Sequence, residues 1–131
     1  MVRELLKDST GCKQLVDEGE SAVITATLVD IGNAPIVKAA IQTLTLTLVN
    51  ASDLSVINGR SNQDILDAND GTVAEDGTVT LKLGPADNPV VGTAEYGIED
   101  HYATMRWTWI DPDGDTLSGA QQWIIQILAS A

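Results

Sequence analysis

The chain has no phenylalanine, a single histidine, a single cysteine and only seven basic residues in 131. Each scarcity excludes something. One thiol, Cys12, cannot close an internal disulfide, which fits folding in a reducing cytoplasm. Seven Lys and Arg against 19 Asp and Glu leave a formal charge of −12. A phosphate backbone would be repelled by such a chain, so nucleic acid is excluded as a partner. An anionic membrane surface is disfavoured for the same reason. No apolar run approaches the roughly 20 residues of a membrane helix. Residues 1–13 also lack the apolar core of a secretory signal. The expectation is a soluble protein made in the cytoplasm, with no membrane partner. G-x-G-x-x-G, P-loop and G-x-S-x-G patterns are all missing, so nucleotide binding and serine-hydrolase chemistry have no support.

What charge there is lies unevenly. Residues 1–20 hold three basic and five acidic residues, whereas 21–131 hold four basic and 14 acidic. A near-neutral leader therefore precedes an acidic body. Arg3, Lys7, Leu5, Leu6, Leu15 and Val16 fall in that leader. Ser9, Thr10 and Gly11 interrupt it. Val2–Lys7 could form a short helical turn anchored by Leu5 and Leu6, and the leader reads as an N-terminal arm over 1–20: either a frayed terminus or a segment whose leucines order it against a neighbouring subunit.

The body from 21 to 131 is rich in Val, Ile, Leu and Thr, the residues of strands. Its clearest segment is Ile41–Val49, IQTLTLTLV. Leu44, Leu46 and Leu48 alternate with Thr43, Thr45 and Thr47, giving one apolar and one hydroxylated face. Such a strand belongs to a sheet covered on one side. Ser21–Val29 and Thr78–Leu83 alternate in the same way. Over His101–Ile110, Ala103, Met105, Trp107 and Trp109 share one face, and Gln122–Leu128 closes the chain. Shorter strands are expected over 55–60 and 72–74. Asn58-Gly59, Glu75-Asp76-Gly77 and Asp111–Asp115 read as turns. Ser61 or Asn62 could cap a short helix to about Ala68, ended by Asn69-Asp70-Gly71. Six or seven strands at this turn density imply an all-β fold. The expected architecture is an immunoglobulin-like antiparallel β-sandwich with one short helix in a loop and an N-terminal arm.

No catalytic constellation emerges. Asp111, Asp113 and Asp115 imitate the start of a calcium loop, but Thr116 stands where the loop needs Gly and Gln122 where it needs Glu. A hairpin turn is the better reading. His101 has Glu99 and Asp100 beside it but no nucleophile, and reads as a strand-entry histidine whose charge its neighbours favour. Trp107, Trp109 and Trp123 sit at core spacing rather than on a sugar-stacking platform. The chain is read as a non-enzyme with no cofactor and no metal.

Five ordered segments carry a family resemblance: TLTLTL (43–48), VINGRSNQDIL (56–66), GTVAEDGTVTLKLGPADNP (71–89), EDHYATMRWTW (99–109) and WIIQIL (123–128). In this order and spacing, the body from Ser21 to Leu128 resembles small tailed-bacteriophage virion proteins with an immunoglobulin-like fold. The resemblance implies a virion structural component, present in many copies or as a homo-oligomer. Its expected station is the capsid exterior, as a decoration or cement protein on the major capsid protein. The second is the neck, as a head–tail connector or tail-completion component. An immunoglobulin-like adhesin that binds a cell-surface glycan or protein is the competing class. The residues expected to touch a partner are Leu5, Leu6 and Leu15 in the arm and Ile57, Arg60, Ile65 and Leu66 in the 54–70 excursion.

Overall fold

The computed structural model describes residues 13–92 and 97–129. Among the described residues, eight strands form two sheets. They are β1 (Lys13–Asp17), β2 (Ala22–Thr27), β3 (Ile41–Asn50), β4 (Gln63–Asp64), β5 (Gly71–Val73), β6 (Thr78–Leu83), β7 (Ile98–Ile110) and β8 (Thr116–Leu128). One sheet has the order β1-β8-β7-β3-β4, the other β2-β6-β5. In immunoglobulin terms, the first matches strands G, F, C and C′ with β1 added beside G. The second matches strands B, E and D. The expected immunoglobulin-like sandwich is therefore what this chain forms. No disulfide joins its sheets, because Cys12 is the only cysteine.

The two-residue rhythm explains the layering. Leu44, Leu46 and Leu48 are wholly buried, as are Ile24, Leu81, Leu83, Met105, Ile125 and Ile127. Trp107, Trp109 and Trp123 join the same core, as their spacing predicts. Full burial of each such side chain is worth about 1.5–3 kcal/mol. β2 and β3 do not pair but lie in different sheets. β3 lies antiparallel to β7, with Leu44 opposite Trp107 and Leu46 opposite Met105. β7 and β8 run as one long hairpin closed by the Asp111–Asp115 turn.

Three local expectations are corrected. No helix forms over 61–68. That stretch carries positive φ at Asn62 and Asp67, and Asn69 and Asp70 follow suit. Asx side chains tolerate this left-handed backbone and bond their own loop, which competes with a helix. Leu66 N–H donates to Asp64 Oδ1 and Val73 N–H to Asp67 Oδ1. The segment yields only β4, two residues long. The expected strand over 55–60 reduces to an isolated bridge between Val49 and Val56. Finally, residues 13–17 of the expected arm are built into the body, as β1 runs parallel to the end of β8. Val16 alternates inward there and is fully buried.

Candidate functional site

Of the seven expected contact residues, Leu5 and Leu6 lie outside the described residues. Leu15 is half-buried in β1 and Leu66 packs partly against the core. Ile57, Arg60 and Ile65 are buried at 3%, 3% and 0% exposure. A side chain enclosed by its own domain has no surface to offer a partner, so these three are not contact residues. Ile57 and Ile65 pin the excursion to the sheet: Ile57 N–H donates to the Leu48 carbonyl and Ile65 N–H to the Leu44 carbonyl.

Arg60 holds the excursion to the far loop. Its Nε donates to Asp87 Oδ1 at 2.6 Å and its NH2 to Asp87 Oδ2 at 3.0 Å. The other donors reach Gln63 Oε1, the Asn69 carbonyl and Asp70 Oδ2. Asp87 also accepts from Asn58 Nδ2 and from the Gly84 N–H. A planar, forked donor matched by a carboxylate ties together segments 27 residues apart. This is structural wiring rather than a site.

Glu99 and His101 form a second buried pair at the opposite end of β7 from the hairpin turn. His101 Nε2 lies 2.6 Å from Glu99 Oε1. Glu99 also accepts from the N–H groups of Val91 and Gly92 at 2.9 and 2.8 Å. Burial opposes its charged form, but the bonds from Val91, His101 and Gly92 outweigh that and hold its carboxyl below the usual range. His101 is fully buried rather than at a strand entry, and Asp100 turns to the other face, toward Gln126. The pair clasps the loop after residue 88 onto β7.

At the Asp111–Asp115 turn, Asp111 Oδ1 accepts from the N–H groups of Asp113 and Asp115. That carboxylate oxygen is engaged by the turn's own amides. Among the described residues, no group of three His, Cys, Asp or Glu could hold a metal ion.

Two surface features of the described residues bear on function. The first is the outer face of the larger sheet. Thr43, Thr45, Thr104, Thr108 and Ser118 stand on it around the exposed Arg106. Thr43 and Thr108 share a hydroxyl hydrogen bond at 2.6 Å. The second is a cleft of roughly 310 Å³ at the hairpin end, between the β2–β3 connection and the β7–β8 turn. Ile31, Pro35, Val37, Trp109, Pro112 and Leu117 line it, with Asp30 and Asp111 at its side. Ile31 is 81% exposed and Val37 56%. Sequence reading missed this cleft because its walls come from segments about 80 residues apart. The Thr/Leu alternation did announce the outer face.

No protein-family model and no curated protein matches the chain. Among solved structures, it is similar to a chain of the structure of murine CRIg, at 14% identity and a TM-score of 0.48. That similarity covers 92% of this chain and 93% of the other.

Proposed function

We propose that this protein is a non-enzymatic structural component of a tailed-bacteriophage virion, a decoration or cement protein that adds contact area to the capsid lattice. The bacteriophage assignment is supported by the five-segment sequence resemblance. The observation that carries the contact role is the outer face of the larger sheet. β7 and β8 run 13 residues each and β3 ten, whereas β1 and β4 at the edges have five and two, so the face paves roughly 700 Å². A standard stable interface uses about 800 Å² from each partner, so this face supplies most of one. Its short threonines and serine lose little rotamer freedom when covered. Arg106 supplies a cation in the middle of an otherwise acidic molecule, which suits an acidic residue on the partner.

The partner in this reading is the major capsid protein, and the protein resides in the virion. The neck is the second station, since a ring there needs the same kind of face. The loop-end cleft favours the competing class, an adhesin, because binding modules of this fold present their loops at one end. Copy number in purified particles separates these readings. Copies in the hundreds support decoration, whereas a ring of about six or twelve supports the neck. Absence from particles rejects both. Arg106→Glu should abolish incorporation while leaving the thermal midpoint within about 2 °C of the parent, because a surface change of this kind costs about 0.5 kcal/mol or less.

A further inference from the structure

We propose that the loop-end cleft binds a basic-aliphatic segment of a partner polypeptide, an arginine whose stem lies along Trp109 and Leu117 and whose guanidinium pairs with Asp30 and Asp111. The two loops that form the cleft are built alike. In the β2–β3 connection, the Asp30 N–H donates to the Ala34 carbonyl, and Asp30 Oδ1 accepts from the N–H groups of Gly32 and Ala34 at 2.9 and 3.0 Å. In the β7–β8 turn, the Asp111 N–H donates to the Asp115 carbonyl, and Asp111 Oδ1 accepts from the N–H groups of Asp113 and Asp115 at 3.0 and 2.8 Å. Each carboxylate is thus held by its own loop through one oxygen. Among the described residues, nothing donates to the second oxygen of either, and no ion pair involves them. Both groups line the cleft, so two fixed acceptors flank an apolar wall before any ligand arrives. Such preorganisation lowers the ordering cost of binding.

Size and chemistry select the occupant. The cleft's roughly 310 Å³ lies at the bottom of the range for small-molecule sites, about 300–1,000 Å³, and suits one or two side chains. Trp109 and Leu117 stand opposite one another in the β7–β8 pairing and form the apolar wall. Ile31 and Val37 leave further apolar surface exposed at the cleft. Arginine answers both requirements, because its stem covers apolar surface while its planar fork donates to carboxylates. Charge rules out the nearest competitors. A second copy brings the same carboxylates and a charge of −12, so it is repelled, as an acidic segment is. A basic segment is drawn in by the same field, to which Asp113 and Asp115 add from further round the turn. The inference does not rest on the virion reading, since its surface is the loop end rather than the sheet face.

An NMR titration of the full-length chain tests it. The probe is the acetylated, amidated peptide Ala-Leu-Arg-Leu-Ala, and its control carries citrulline, a neutral isostere, in place of arginine. The arginine peptide should shift the amides over 31–37 and 111–117 and the indole N–H of Trp109, with saturation. The citrulline peptide should bind at least about tenfold more weakly, the scale of a lost charge-assisted hydrogen bond. The double variant Asp30→Asn/Asp111→Asn should weaken the arginine peptide by a similar factor. Its fold is kept, because each Asn retains the Oδ1 acceptor that its loop uses. Ile31→Ser should weaken both peptides severalfold. Asp53→Asn is the control for net charge: Asp53 Oδ1 accepts from the Ser55 N–H in a loop beyond the far end of β3, and this variant should bind as the parent does. Equal affinity for the two peptides overturns the inference, as does an equal loss in Asp53→Asn. Shifts spread over the whole acidic surface also overturn it, because they mark diffuse attraction. So do shifts that appear on concentrating the protein without peptide, which make a second copy the occupant. Absence of saturable shifts with the arginine peptide overturns it outright.

Discussion

Arg60 and Asp87 show how much one buried pair can weigh. Their side chains are 4% and 2% exposed, and together they join the 54–70 excursion to the loop before β7. Removing one partner leaves the other buried charge short of its main partner: Asp87 would keep only the Asn58 amide and the Gly84 N–H, and Arg60 would keep only the exposed Asp70, at 3.3 Å, as a counter-ion. Arg60→Met or Asp87→Leu alone should therefore cost about 3–5 kcal/mol in denaturant unfolding. The double variant should be less destabilised than either single one, because apolar packing replaces the pair outright. A double variant at the sum of the two losses would show that the pair itself contributes little coupling. Glu99 makes a different prediction, one of pH. Its folded-state pKa lies below the ordinary 4.5. Its stabilising contribution is thus complete above about pH 4.5 and is lost as pH falls through the lower folded value. Between pH 7 and pH 3 the parent should lose stability more steeply than Glu99→Gln, whose amide does not titrate. Parallel pH profiles would mean that other carboxylates set the acid limit.

At the scale of elements, two glycines in hairpin turns make a controlled comparison. Gly77 closes β5–β6 at φ +88°, and a Cβ there would lie 1.9 Å from the Ile36 carbonyl oxygen. Gly114 closes β7–β8 at φ +86°, with nothing near its missing Cβ. Backbone strain is shared, so the close approach alone differs. Gly114→Ala should cost about 1 kcal/mol, and Gly77→Ala clearly more, because β6 must move off the β2–β3 connection. Equal losses in thermal unfolding would refute the role of that contact. Gly77 was legible in the sequence as part of a Glu-Asp-Gly turn; its second duty against Ile36 was not, being a contact across 41 residues. The same division holds for whole strands. β3, β6 and β7 could be read directly, because burial on one face imposes a period of two on the residues themselves. The 61–70 segment could not. Its Ser and Asn look like helix caps, yet a run of Asx residues in left-handed backbone made a loop, and long-range anchoring by Arg60 fixed its path. β1 was hidden for a related reason: as a parallel edge strand of five residues, its signal is only Gln14 and Val16 pointing inward. Arg60, Ile57 and Ile65 looked like surface contacts because short-range pattern does not tell an apolar residue buried by its own sheet from one left for a partner.

For the molecule as a whole, the charge of −12 sets an internal repulsion that few attractive pairs offset. Among the described residues, Lys38–Asp67 is a partly exposed ion pair, and Arg60 sits in a buried cluster. A compact body carrying so many like charges is destabilised by its own field. Added salt screens that field, with a Debye length of about 10 Å at 0.1 M against about 30 Å at 0.01 M. The thermal midpoint should therefore rise with salt over this range, by about 3–5 °C, the shift that roughly 1 kcal/mol produces in a domain of this size. A protein held together by surface ion pairs would respond in the opposite direction, so a falling midpoint would reject the argument. Sodium and potassium should act alike, because screening depends on ionic strength and not on the ion. Calcium or magnesium at matched ionic strength should give the same curve. A larger gain with calcium alone would reveal a specific cation site, and only if Asp113→Asn removed that gain while leaving the sodium response intact would the site lie at the Asp111–Asp115 turn.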